Sequence, residues 1–454
     1  MRKCIFFAAL FFNSLLAVAQ KPLPANMFTK KLDNGLTVLV VEDNSVPLAT
    51  ISMGVKNGAY TESPEFNGLS HLYEHMFFKA DKDYADQHAF LQQTQELGII
   101  FNGTTNEEKV EYFFTLPNYN LMAGLKLMNS AIRYPAFDND EIKKERKVVD
   151  AEFQRKESNP YYKLIDSMNH HLWGQLYSRK NPIGNHDIIN AATPEQMIAI
   201  QKKYYWPNNS ILIIAGDVHH EEAFNIVENL FKDWAPSGFD PFEKFPVPEM
   251  KPIEKDDYFI VDSKNTKATM LLFEWQGPDT RRDVLNTYVA DIFSFLLAQN
   301  SSKLHQALIG SGLASSVSVN YYTQKYTGPI SFYIVPNPSK EKECVEVFKQ
   351  QLALFDSDNY FTDEQLAIAK RFYEIRQERE QESTSEFTHT LSFWWCSASL
   401  DYFNTYIDNL NKVTHQDIKN YVQKYLKGAH YCAGMLLNTD NRNEINPESF
   451  FKAN

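Results

Sequence analysis

Tyr112-Phe113-Phe114-Thr115-Leu116-Pro117-Asn118 returns in altered form as Phe332-Tyr333-Ile334-Val335-Pro336-Asn337, with Pro117 answered by Pro336 at an offset of 219. Each run is bulky, apolar and closed by Pro-Asn before a helical pattern, so each reads as a buried strand ending in a turn. Working outward, further landmarks pair in the same order. Gly98 separates an expected helix, Phe90 to Leu97, from an expected strand, Ile99 to Asn102. Gly312 separates Lys303 to Ile309 from Leu313 to Asn320 at an offset of 214. Phe137-Asp138-Asn139-Asp140-Glu141 matches Phe361-Thr362-Asp363-Glu364-Gln365 at 224, and both read as helix starts whose short oxygen-bearing side chains cap free amides. Thr193-Pro194-Glu195-Gln196 opens a helix to Tyr204, and Thr414-His415-Gln416-Asp417 opens one to Tyr425, at 221. Four landmarks in one order predict two homologous α+β domains of about 210 residues each.

Strand candidates at Leu36 to Val41, Ala49 to Val55, Ile211 to Ala215 and Thr269 to Trp275 are interleaved with helices, which predicts mixed sheets covered by helices. Pro236, Pro241, Pro246, Pro248 and Pro252 suppress regular structure and favour an extended connector. The expected division is therefore a first domain over 20–235, a proline-rich linker over 236–256 and a second domain over 257–454.

The 454 residues are 43% hydrophobic and 14% aromatic, enough for a core in each half, and the net charge of −12 argues against a nucleic-acid partner. Arg2 and Lys3, an apolar stretch from Cys4 to Leu16, and Ala17-Val18-Ala19 have the form of a secretory signal peptide over 1–19. That predicts an exported chain, periplasmic or secreted from a bacterium, with no stable membrane span once the signal is removed. Cys344, Cys396 and Cys432 are too few for a disulfide framework and read as small buried hydrophobes.

The chemistry concentrates in Asn67-Gly68-Leu69-Ser70-His71-Leu72-Tyr73-Glu74-His75-Met76-Phe77-Phe78. Its core is H-x-x-E-H. Residues three and four apart share a helical face, so His71 and His75 can present two imidazole nitrogens to one cation with Glu74 beside them. Leu72, Met76 and Phe77 fall elsewhere and can pack the helix down. Zinc suits imidazole and carboxylate ligands, and a catalytic zinc needs three protein ligands and an open position. The third ligand must come from another element. Glu145-Arg146-Lys147-Val148-Val149-Asp150-Ala151-Glu152 is the best supplier, because Glu145 and Glu152 lie two helical turns apart on nearly one face.

On these residues the chain resembles the pitrilysin and insulysin family of zinc peptidases, the inverzincins, which includes the mitochondrial processing peptidase. The inverted motif is His71-Leu72-Tyr73-Glu74-His75. The family's third ligand is a Glu at a fixed spacing beyond the second His, and counting that spacing from His75 lands on Glu152. A second family Glu, two helical turns before the ligand, falls on Glu145. Asn102-Gly103-Thr104-Thr105, Asn181-Pro182-Ile183-Gly184 and Tyr205-Trp206-Pro207-Asn208-Asn209 are also family-like. The resemblance implies two αβ-roll domains that form one half of a clamshell chamber. It also implies one Zn²⁺ per chain on His71, His75 and Glu152, with peptide hydrolysis in which Glu74 is the general base. Glu145 would orient a ligand, and Asn102 would hold substrate backbone added to a sheet edge.

At the repeat offset of 224, Glu145 maps to Ala369 and Glu152 to Arg376, so the second half lacks the metal-binding carboxylates. Active members of the family also carry an Arg and a Tyr, spaced as in R-x-x-x-G-L-A-Y, in a zinc-free half. Leu308 and Ser315 stand at those positions here. The expectation is therefore a heterodimer with a related zinc-free chain that carries the Arg and Tyr, with local substitution by Lys303, Tyr321 or Tyr322 as the lesser alternative. The competing functional expectations are a non-catalytic binding or assembly subunit of the same fold and a zinc hydrolase of non-peptide substrates.

Overall fold

Residues 21–451 are described by a computed structural model, and the expected signal segment lies outside the described residues. Their eleven strands form two sheets. The first contains β1 (Met27–Lys31), β2 (Thr37–Glu42), β3 (Leu48–Val55), β4 (Ile100–Thr105), β5 (Val110–Pro117) and β6 (Ser210–Gly216), in the order β1-β2-β6-β3-β5-β4. The second contains β7 (Asp257–Asp262), β8 (Met270–Gln276), β9 (Ala314–Tyr321), β10 (Pro329–Pro336) and β11 (Tyr431–Leu437), in the order β7-β11-β8-β10-β9. The pairs β2·β6 and β7·β11 are parallel and all the others antiparallel. Without β1 the two orders superimpose, so one topology is used twice. The strand pair first recognised in sequence, β5 and β10, occupies the same place in each sheet.

The capping residues set the helix starts. Thr193, Thr362 and Thr414 each close a reciprocal capping box with the third residue of the following helix, satisfying amides that have no partner inside it. Asp138 takes the amides of Asp140 and Glu141 at the start of the helix Asn139–Glu157. Two helices of the second half differ from expectation. Lys303 to Ile309 is one α-helical turn followed by a π-helical segment, Gln306–Gly310. The helix expected to reach Tyr425 is α-helical over His415–Tyr421 and π-helical over Val422–Lys427. The proline-rich segment is irregular apart from a turn of helix at Pro241–Lys244. It forms because Asp240 accepts the amides of Phe242 and Glu243 and Pro241 sits where no amide is needed.

Strand alternation gives each sheet two apolar faces. Val38, Val40, Ile51, Met53, Tyr112, Phe114, Leu212 and Ile214 face the large core of the first half, while Leu39, Val41, Ile211 and Ile213 face the other way. That second face is covered by Phe387, Leu391 and Phe403, which belong to the second half of the chain. Reciprocally, Leu164, Met168 and Leu172 of the first half cover Leu272, Cys432 and Leu436 of the second sheet. The two covering helices, Pro160–Trp173 and Thr384–Ser397, are equivalents in the repeat, since their first residues stand at the same offset as Glu145 and Ala369. The halves have exchanged them. Cys344, Cys396 and Cys432 are buried and unpaired.

Candidate metal and catalytic site

The motif helix, Leu69–Phe77, packs Leu72, Met76 and Phe77 into the first core with no exposure. Its aromatic side chains fix its rotation: Tyr73 stacks on Tyr205 at 4.1 Å and Phe77 on Tyr112 at 3.8 Å. Its first turn is held by Glu62, whose carboxylate accepts the Gly68 and Ser70 amides, each at 2.7 Å. Gly68 has φ +91°, a left-handed conformation that glycine adopts without strain, and a Cβ there would come within 2.6 Å of Gly184. The family-like Asn181–Gly184 segment is therefore a close-packed support for the motif helix.

This packing turns His71, Glu74 and His75 toward the helix Asn139–Glu157. His71 Nε2 lies 3.3 Å from His75 Nε2, and Glu152 Oε2 lies 3.7 Å from the first and 4.0 Å from the second. Among the described residues this is the one group of three His, Cys, Asp or Glu side chains whose ligand atoms converge, all within 4.8 Å. Ligands bonded tetrahedrally to zinc at its usual distances lie about 3.4 Å apart. The two imidazoles meet that spacing, and the Glu152 side chain, 34% exposed, needs only a small rotation of its carboxylate. The donor set therefore fits one zinc.

Glu145 lies behind the histidines, its Oε2 3.1 Å from His75 Nδ1 and its Oε1 2.5 Å from Lys79 Nζ. A carboxylate can only accept, so the His75 proton is assigned to Nδ1 and the Nε2 lone pair faces the site. Burial works against the charged His75 ring, but the Glu145 hydrogen bond and the nearby Glu74 and Glu152 carboxylates outweigh it and raise its pKa. Burial also opposes the Glu145 carboxylate, yet the His75 and Lys79 hydrogen bonds hold it below the usual range. Burial, with the neighbouring His75 charge, pushes His71 down to about 3, so its ring is neutral and free to ligate.

Glu74 is 8% exposed, and burial pushes its carboxyl up to about 7 against the opposing hydrogen bond from Thr105 Oγ1 to Oε2 at 2.6 Å. Gly103 lies against this side chain: a Cβ there would come within 2.7 Å of Glu74 Cγ and 3.0 Å of Oε1. Thr105, Gly103 and Asn102 all lie on β4, which ends the first sheet and pairs only with β5. Asn102 is exposed and its Oδ1 accepts the Gly103 amide at 2.9 Å. A cleft of about 510 Å³ is walled by Phe153 and Glu157 of the helix Asn139–Glu157, with Asn67, Tyr162, Asp166 and His186, and its lining does not include His71, Glu74, His75 or Glu152.

Lys79, Thr105, Gly103 and Glu62 escaped the sequence reading. Lys79 is one helical turn past His75, on the same face, and Gly103 and Thr105 lie inside a stretch already marked, so spacing held a signal for these three. Glu62 had none, because its partners are backbone amides.

The positions weighed for the Arg and Tyr, or for their local replacement, are each buried or engaged by near neighbours. Leu308 is buried, and the Ser315 hydroxyl donates to the Val335 carbonyl. Lys303 Nζ donates to the Asn359 carbonyl, Tyr321 donates to the Pro278 carbonyl, and Tyr322 stacks on Phe393 at 5.9 Å.

Residues 37–185 match the family model described as Insulinase (Peptidase family M16), and residues 191–373 match that described as Peptidase M16 inactive domain. An uncharacterized zinc protease of Rickettsia felis is 28% identical over 206 residues, 45% of this chain and 50% of that protein. A probable mitochondrial-processing peptidase subunit beta of Arabidopsis thaliana is 26% identical over 200 residues, 44% of this chain and 38% of that protein. The chain thus spans half or less of the length of these two relatives. In structure it resembles a protease from Helicobacter pylori, with 21% identity, a TM-score of 0.79, and 90% of this chain and 99% of that one covered. It also resembles the periplasmic protease PqqL from Escherichia coli, with 18% identity and a TM-score of 0.79, covering 94% of this chain but 49% of that one.

Proposed function

We propose, from the premise that this chain belongs to the pitrilysin/M16 peptidase family, that it is the zinc-bearing subunit of a metalloendopeptidase that hydrolyses peptides or unfolded polypeptides. The reading rests on one observation: three ligand atoms from His71, His75 and Glu152 converge beside a buried Glu74 whose carboxylate is held in place by Thr105. His71, His75 and Glu152 would hold a zinc ion, which would supply Lewis acidity and acidify a water at the site. Glu74 Oε1, over Gly103, takes a proton from the attacking water and returns it to the leaving amine, while Thr105 holds Oε2 in place. Glu145 keeps the His75 ring in its ligating tautomer. The free edge of β4 receives the substrate backbone, with Asn102 as its polar contact.

The chamber is completed by a related zinc-free chain that supplies the Arg and Tyr. Supporting this are Leu308 and Ser315 at the relevant positions and the coverage of 49% of the longer PqqL chain. The protein acts after export. Among the described residues no helix is long and apolar enough to cross a membrane. The alternative, a non-catalytic assembly subunit, leaves the convergence of the three ligands without a purpose. Metal analysis with a fluorogenic-peptide assay, with and without a candidate zinc-free chain, tests the reading. About one zinc per chain and partner-dependent cleavage are expected, and a chain that binds no zinc refutes it.

A further inference from the structure

The loop between β9 and β10 belongs to the half without metal ligands, yet two buried side chains of the other half grip it. Lys180 donates to the Gln324 side chain, to the Tyr326 carbonyl at 2.9 Å and to the Thr327 carbonyl at 2.6 Å. Glu108 accepts the amides of Lys325 at 2.7 Å and Tyr326 at 2.9 Å. The two grips lead to different parts of the site. Lys180 ends the turn Gly174–Lys180. In that strap the Ser178 and Asn181 carbonyls accept Asn67 Nδ2 at 3.0 and 3.2 Å, and Gly184 packs on Gly68. The strap thereby seats the first turn of the helix that carries His71 and His75. Glu108 lies in the β4–β5 turn, where Asn106 Oδ1 accepts its amide and that of Lys109. Immediately before Asn106 stands Thr105, which holds Glu74.

We propose that the loop over 323–327 is a positioning element for the site in the other half, with Lys180 and Glu108 as its positioning residues: Lys180 sets the metal-binding helix and Glu108 sets the general base. This rests on the zinc-peptidase reading for its catalytic consequence, though not for its structural one. An ammonium supplies three donors and no acceptor, so removing it strands three buried acceptors at one contact between the halves.

The test uses the full chain, with the zinc-free partner chain added wherever kcat and KM are read. Hydrogen exchange is followed in the metal-free protein, and zinc affinity is measured by chelator competition, for Lys180→Met, Glu108→Gln and a control, Phe348→Leu, which opens a cavity in the second core away from the loop. In Lys180→Met the Gly68, Ser70 and Leu72 amides should exchange about tenfold faster while those of β6 do not change. Its zinc affinity should fall about tenfold. In Glu108→Gln zinc affinity should hold while kcat falls with little change in KM. Unchanged exchange at residues 68–72 in Lys180→Met, or an equal change in the control, overturns the proposal. If Lys180→Met does not fold, Glu108→Gln decides, and unchanged kcat then overturns it. A wild-type chain that binds no zinc defeats the peptidase reading alone, since the exchange comparison still reports on the strap.

Discussion

Replacing Glu145 with Gln changes no volume and removes one charge, and the structure dictates why that is costly. Both carboxylate oxygens are used, Oε2 toward His75 Nδ1 at 3.1 Å and Oε1 toward Lys79 Nζ at 2.5 Å. A glutamine has one acceptor. If its oxygen faces His75, its NH₂ is pressed against the Lys79 ammonium. If its oxygen faces Lys79, its NH₂ faces Nδ1, which must then accept, and the imidazole proton moves to Nε2, the atom that should ligate. Either arrangement weakens the metal site. Lost support of this kind lowers metal affinity about 10- to 100-fold, or about 1.4–2.8 kcal/mol. Chelator competition measures it, and affinity within about twofold of wild type would refute the tautomer reasoning.

The metal-free chain provides a second readout of the same variant. His75 is raised, so its contribution is complete below the unfolded imidazole value of 6.5 and is lost as pH rises through the folded one. Glu145 is lowered, so its contribution is complete above the unfolded carboxyl value of 4.5 and is lost as pH falls through the folded one. The melting difference between wild type and Glu145→Gln should therefore be largest between pH 4.5 and 6.5.

Glu74→Gln should retain zinc and lose turnover by about 10²- to 10⁴-fold in the peptide assay; near-normal turnover would remove Glu74 from the proton transfer. Gly103→Ala should act on the same residue, because the added Cβ meets Glu74 Cγ at 2.7 Å; kcat should fall with zinc content unchanged by metal analysis. Glu274, buried in the second sheet and bonded by Ser331 Oγ at 2.6 Å, is pushed up to about 7 by burial. The folded chain thus holds a proton that the unfolded chain has released, and this contribution to stability declines between pH 4.5 and about 7. The melting temperature of Glu274→Gln should rise relative to wild type over that interval, and a constant difference from pH 4.5 to 8 would contradict the assignment. Leu164→Ala should cost about 2–5 kcal/mol. The loss should appear in one denaturation transition shared by both halves, since Leu164 joins the first half to the second sheet.

What could be read in the sequence was local. Thr193 and Thr414 announce helix starts because a cap and its partner lie within one turn, and both are capping boxes in the fold. His71, Glu74 and His75 declare a shared face through helical spacing alone. Glu152 lies far beyond His75 in the chain, on another helix, and needed the family resemblance to single it out. The exchanged helices were not legible. Phe387 and Leu391 are apolar residues at helical spacing whichever sheet they cover, and periodicity names a buried face without naming its partner. Glu62, Lys180 and Glu108 were silent for a related reason: each binds backbone groups, and a backbone amide or carbonyl leaves no trace in residue identity.

The helix exchange also constrains the order in which the protein can acquire structure. The strands of the first sheet are complete at Gly216, but one face stays bare until Phe387, Leu391 and Phe403 exist to cover it. A chain emerging from the ribosome must carry that greasy surface until most of the second half has been synthesised. Neither half can mature first, and the incomplete chain is exposed to aggregation for much of its synthesis.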